Sequence, residues 1–302
     1  MRLDSDSRII NFSYVVPTRP LEQSHGSGTS LVDIPLDVTQ SGDPTHNKST
    51  KGVLYFSGYG EGRYSTQSFH KEAIEQGVPL TTIKIHFSDI SPLIARTREL
   101  AIEHTLRTTV PEFIEDWFNS IEKVPAITNS LGSAILGYAL HETSKVADID
   151  LINPLGFSTK PNESIEKSTA WFLWRYAKAL LKTKPYEQNA VRASIDVTKE
   201  LTKDTIARSI RTQLSMANRL SFISTYANHA QNNCVRVRSG TNDSLFTTHD
   251  IRKTLYESVQ TSGSTPTKID VLEEVGVRHQ DIALKDVMSV AKSSLTHLAN
   301  NL

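Results

Sequence analysis

Six short apolar runs recur along the chain: Val53–Phe56, Thr82–Ile85, Val124–Ile127, Ile149–Ile152, Cys234–Val237 and Ile269–Leu272. Most are separated by stretches with helical spacing of apolar residues: Thr66–Glu75, Pro92–Arg107, Pro111–Glu122, Leu131–Glu142, Thr248–Ser258 and Asp281–Leu298. Neighbouring parallel strands cannot be joined by a tight turn; each crossover needs a dozen or so residues, usually a helix. The alternation therefore predicts an α/β chain: a mostly parallel sheet with helices on both faces. The last helical stretch places Leu284, Val287, Met288, Ala291, Leu295 and Leu298 on one face, as expected of a terminal helix packed on the sheet. Two further extended segments, Arg8–Val16 and Leu31–Val38, come first, separated by polar, glycine-rich loops. Arg236 and Arg238 flank Val237, which is unusual for a strand buried on both faces and predicts a position near the sheet edge.

One segment breaks the alternation. Residues 157–233 contain no convincing strand and read as helices, around Ser168–Leu181 and from Ala193 through Ala230. The expected organisation is an α/β core of residues 1–156 and 234–302 with a helical cap, 157–233, inserted between two strands. Trp171, Phe172, Leu173, Trp174 and Tyr176 crowd the first cap helix. Such a cluster lines an apolar substrate pocket, Trp171 and Trp174 foremost, or packs the cap onto the core. From Arg175 to Arg219 ten basic residues face four acidic ones, which suits either an anionic substrate or a solvated helix face.

Composition removes several function classes. The chain has 33 Lys+Arg against 33 Asp+Glu among 302 residues. A dedicated nucleic-acid binder needs a cationic surplus, so no nucleic-acid partner is expected. Cys234 is the single cysteine, so neither an intramolecular disulfide nor a cysteine-based zinc site can form. Asp4 and Asp6 interrupt the start of the chain, and no apolar run reaches the roughly 18 residues of a membrane helix. A cytoplasmic protein with no membrane span and a small-molecule substrate is the expectation.

The segment Val124-Pro-Ala-Ile-Thr-Asn-Ser-Leu-Gly-Ser-Ala-Ile-Leu-Gly-Tyr-Ala-Leu140 carries the chemistry. A strand ends at Asn129, Ser130 follows, and Leu131 opens a helix of small and apolar residues. A sharp strand-to-helix turn exposes a hydroxyl, and the helix start supplies unpaired N–H groups for a developing oxyanion. The plainer reading is an ordinary strand–helix turn.

Thr128-Asn-Ser-Leu-Gly132 resembles the Gly-x-Ser-x-Gly nucleophile elbow of the α/β-hydrolase family, with Thr128 in place of the first glycine. Ser57-Gly58-Tyr59-Gly60 is similar to the His-Gly loop after an earlier strand of that family, with Ser57 replacing the histidine. The resemblance implies an oxyanion hole from the Tyr59 and Leu131 N–H groups. Gly240-Thr-Asn-Asp243 resembles the loop presenting the family's triad acid, and His279 lies between the last strand and last helix, where the family keeps its base. The order Ser130, Asp243, His279 is that of α/β-hydrolases. Asp148 and Asp150 are weaker acid candidates. A bare turn, an Asx turn or a solvated loop histidine remain the plainer readings of these positions.

The resemblance implies a serine hydrolase cleaving a carboxylic ester through an acyl-enzyme, with no metal or organic cofactor. A thioesterase, lactonase or peptidase would use the same triad, and a non-catalytic ligand-binding protein the same fold. No complete phosphate-loop motif is present to support a nucleotide-dependent enzyme.

Overall fold

The computed structural model describes residues 9–14, 36–42, 52–58, 61, 63–85, 101–155, 199, 222–241, 247–262, 269–274 and 293–298. Their strands are β1 (Ile9–Tyr14), β2 (Leu36–Ser41), β3 (Val53–Phe56), β4 (Leu80–Ile85), β5 (Val124–Asn129), β6 (Val146–Ile152), β7 (Val235–Gly240) and β8 (Ile269–Glu274). They form one eight-stranded sheet in the order β1-β2-β4-β3-β5-β6-β7-β8. Pairing is parallel from β4 through β8, while β2 runs antiparallel to both β4 and β1. The mostly parallel sheet expected from the alternation is the one observed.

The helices are α1 (Arg63–Gln76), α2 (Val110–Trp117), α3 (Leu131–Ala139), α4 (Phe222–His229) and α5 (Thr248–Ser262). A π-helical turn, Thr105–Thr109, leads into α2, whose first turn carries Pro111, where a missing N–H costs nothing. The π turn takes a threonine hydroxyl inward: Thr105 donates to the Ala101 carbonyl at 2.9 Å.

Alternate residues of each central strand feed two cores. Leu54, Phe56, Ala126, Leu151 and Val237 pack with α2, α3 and α4 on one face. Val53, Tyr55, Ile127 and Ile152 pack with Phe69 and Ala73 of α1, and with Leu295 and Leu298, on the other. Helices thus cover both faces, and Leu295 and Leu298 lie on the sheet as the terminal-helix periodicity predicts. Leu284, Val287, Met288 and Ala291 lie outside the described residues.

β7 lies between β6 and β8, the last strand of the sheet, and so stands next to the edge as its arginines predict. Its arginines face a buried acid on the neighbouring strand: Asp150 accepts from Arg236 at 2.9 Å and from Arg238 Nε at 2.9 and 3.1 Å. A paired, hydrogen-bonded charge tolerates an interior that a lone one does not. Of the second extended segment, β2 covers Leu36–Ser41, and residues 31–35 lie outside the described residues. Its polar end is buried, with Gln40 and Ser41 paired to Thr81 and Leu80 of β4.

α4 belongs to the core layer. Phe222 meets Tyr138 of α3 edge-on at 5.3 Å, and the Tyr226 hydroxyl donates to the Ser133 carbonyl at 2.5 Å. Among the described residues, no helix is long and apolar enough to cross a membrane.

Candidate active site

From β3 the chain passes through α1 to β4 on one side of β3, whereas β5 lies on the other. Loops leaving the ends of β3 and β5 therefore diverge, and open α/β sheets bind ligands in the crevice at such a reversal. Ser57 and Gly58 follow β3; Ser130 follows β5.

At Ser130 the chain turns from β5 into α3 with φ 48° and ψ −112°. A side chain at positive φ costs on the order of 1–3 kcal/mol and persists where the surroundings over-determine it. Here they do. The Ser130 N–H donates to the Ile152 carbonyl at 3.0 Å, and the Ser130 carbonyl accepts the Leu155 and Ser133 N–H groups, each at 3.1 Å. The Ser133 hydroxyl donates to that same carbonyl at 2.6 Å. A serine at a helix start ordinarily caps it with its hydroxyl, but Ser130 makes no such capping bond. The leading N–H groups of α3, that of Leu131 included, have no acceptor within the helix and lie at its positive end.

Two glycines bring the loops close. A methyl group on Gly132 would stand 2.1 Å from the Phe56 carbonyl oxygen, so α3 packs on β3 only without a side chain there. One on Gly58 would stand 3.1 Å from the Asn129 carbonyl oxygen and 3.3 Å from Ser130 Cβ. The loop after β3 therefore runs against the turn carrying Ser130.

The departures from the elbow pattern have local explanations. Thr128 lies in β5, in register between Phe56 and Leu151, where a β-branched residue is at home. Ser57 is turned away, its hydroxyl donating to the Ile83 carbonyl of β4 at 3.4 Å.

Glu61, beside this turn, is a residue that sequence reasoning did not single out. Buried, it accepts the Gly58 N–H at 2.6 Å and the Tyr55 hydroxyl at 2.7 Å through Oε2, and the Asn129 side-chain amide at 2.6 Å through Oε1. Burial raises its pKa above the usual carboxylate range, against the lowering effect of these three donors. Burial and the Glu61 charge push the Tyr55 hydroxyl well above its ordinary value. Asn153 was missed as well. Fully buried with φ 43°, it donates its N–H to the Arg238 carbonyl at 2.8 Å and accepts the Gly240 N–H on Oδ1 at 3.2 Å. An acid among glycines, and an asparagine before a proline, are the only local signals of either role.

Asp243, His279, Tyr59, Trp171 and Trp174 lie outside the described residues. The strands leading to the first two are described: β7 ends at Gly240 and β8 at Glu274, at the same rim of the parallel sheet as Ser130. Asp150 is held by its two arginines, and Asp148 accepts the Cys234 N–H at 2.8 Å. Among the described residues, no group of three or more His, Cys, Asp or Glu could hold a metal ion.

No family model matches this sequence, and no curated protein matches it. Solved structures do. A carboxylesterase from Nitrososphaera gargenis is similar at TM-score 0.56 and 12% identity, over 89% of this chain and 97% of that one. A hydrolase from Oleispira antarctica is similar at TM-score 0.59 and 14% identity, over 88% and 94%. The thioesterase domain from the curacin biosynthetic pathway is similar at TM-score 0.53 and 13% identity, over 87% and 95%. The sheet order, the strained serine between β5 and α3, and these likenesses agree: the chain has the α/β-hydrolase fold.

Proposed function

We propose that this chain is a serine hydrolase that cleaves a carboxylic ester through an acyl-enzyme intermediate. The observation carrying the reading is Ser130, held at positive φ on the turn from a central parallel strand into a buried helix. That backbone is costly, and an ordinary strand–helix connection has no use for it.

The proposed chemistry assigns each group one task. His279 takes the Ser130 proton as Oγ attacks the ester carbonyl carbon, because a free hydroxyl is a poor nucleophile near neutral pH. Asp243 keeps the imidazole in the required tautomer and stabilises its cation. The N–H groups of Tyr59 and Leu131 receive the oxyanion. The carbon–oxygen bond to the alcohol breaks as His279 returns the proton, and water then hydrolyses the acyl-enzyme by the same base. The reaction as written needs no metal or organic cofactor. A thioester would follow the same steps, and the likeness to a thioesterase domain keeps that substrate class beside the ester. The insertion of residues 157–233 is proposed as a cap whose last helix, α4, packs on the core, with Trp171 and Trp174 toward the acyl group, and the cytoplasm as the location.

Hydrolysis of p-nitrophenyl butyrate tests the assignment. Ser130→Ala, His279→Ala and Asp243→Asn should each lower kcat/KM by about a thousandfold or more. A Ser130→Ala variant as active as the parent overturns the reading. A folded parent with no turnover of esters or thioesters favours a ligand-binding protein on this fold.

A further inference from the structure

We propose that Glu61 is a positioning residue that sets the gap between the loop after β3 and the turn carrying Ser130. This rests on the reading of Ser130 as the nucleophile.

Glu61 reaches three elements with one carboxylate. Oε2 takes the Gly58 N–H and the Tyr55 hydroxyl, and Oε1 takes the Asn129 side-chain amide. Its own N–H donates to the Gly58 carbonyl at 3.3 Å. Both polar groups of the Gly58 backbone are therefore bound by Glu61. Two consequences follow. The Gly58 N–H is occupied and is not an oxyanion donor. And because a peptide group is planar, holding the Gly58 carbonyl also fixes the direction of the N–H that follows it in the chain, the one assigned to the oxyanion.

The other end of the clamp is Asn129, the residue before Ser130. Gly58 already lies in near contact with Asn129 and Ser130, so the spacing between oxyanion donor and nucleophile is set by the span of the Glu61 side chain. A surface loop would leave this carboxylate in water. Here it is 5% exposed, and the three donors offset the cost of burying it. An oxyanion donor acts chiefly in the transition state, so a misplaced one lowers kcat rather than raising KM.

Span and charge can be separated. Glu61→Asp keeps the charge and shortens the reach by one methylene. Glu61→Gln keeps the reach and removes the charge: its oxygen serves Gly58 and Tyr55, and its amide donates to Asn129 Oδ1 after a flip of the Asn129 amide. That oxygen has no hydrogen-bond partner now.

The experiment measures kcat, KM and the rate of fluorophosphonate labelling for the full chain and both variants, with melting temperatures alongside. Glu61→Asp should lower kcat and the labelling rate about 10- to 100-fold, with KM within about twofold, against the 100- to 1,000-fold of a lost donor. Glu61→Gln should recover most of that loss. Undiminished kcat in Glu61→Asp, or an equal fall in Glu61→Gln, overturns the positioning role. If Glu61→Asp is unfolded at the assay temperature, Asn129→Ala carries the same test, and undiminished kcat there overturns the role equally. A parent inert toward ester and fluorophosphonate sinks the reading of Ser130 and the positioning role with it. A reactive parent with an equally reactive Glu61→Asp sinks the positioning role alone.

Discussion

Ser130 donates its backbone N–H to the carbonyl of Ile152 at 3.0 Å while its own φ is 48°. The end of β6 thus holds the residue at the end of β5 in a conformation that residue would not choose. Glycine adopts it without the steric cost. Ser130→Gly should therefore be more stable than Ser130→Ala by about 1 kcal/mol, although both lack the hydroxyl. Urea unfolding of the two variants measures this, and equal stabilities would mean the turn stores no strain.

Gly132 tests the packing beneath the turn. A Cβ there meets the Phe56 carbonyl at 2.1 Å, and backbone on both sides has little room to give. Gly132→Ala should cost at least the ~1–3 kcal/mol typical of overpacking, read as a lower urea midpoint. It should also slow hydrolysis, because α3 carries the Leu131 N–H.

The charge cluster between β6 and β7 makes a stability prediction unrelated to catalysis. Asp150 is fully buried, and Arg238 nearly so. Asp150→Asn leaves the arginines without their counter-charge and should cost about 3–5 kcal/mol. The stability of Asp150→Asn against urea is the measurement; a loss under about 1 kcal/mol would show that solvent reaches the pair.

His70 gives the pH dependence its sign. Burial lowers its pKa from 6.5 to about 4, and its Nε2 lies 2.9 Å from the Thr82 hydroxyl. Above pH 6.5 it is neutral folded or unfolded and contributes no slope. Between 6.5 and about 4 the unfolded chain binds a proton that the folded chain refuses, so stability falls as pH falls. From pH 6.5 to pH 5 the loss from this group is about 2 kcal/mol. Urea unfolding at both pH values, with His70→Gln flattening the difference, checks it.

Apolar runs marked every strand from β3 to β8, yet β5, β7 and β8 each extend past the run into Thr128-Asn129, Arg238-Ser239-Gly240 and Glu273-Glu274. These three strand ends are polar, and hydrophobic patterning stops where polarity begins. Arg236 and Arg238 marked a strand near the edge, but not their partner Asp150, which is 86 and 88 positions away. The strand-to-helix turn at Ser130 was legible since it is local, five residues from strand to helix. Glu61 was not. Its meaning depends on Asn129, 68 positions on, and an acid between glycines in isolation is a loop residue.

The central claim is that Ser130 is the nucleophile, and a fluorophosphonate probe tests it directly. Tryptic cleavage after Lys123 and Lys145 releases one peptide, Val124–Lys145, holding Ser130, Ser133 and Ser144. Fragmentation of the labelled peptide should place a single adduct on Ser130, absent in Ser130→Ala and after heat denaturation. An adduct on another serine, or none on the folded protein, contradicts it.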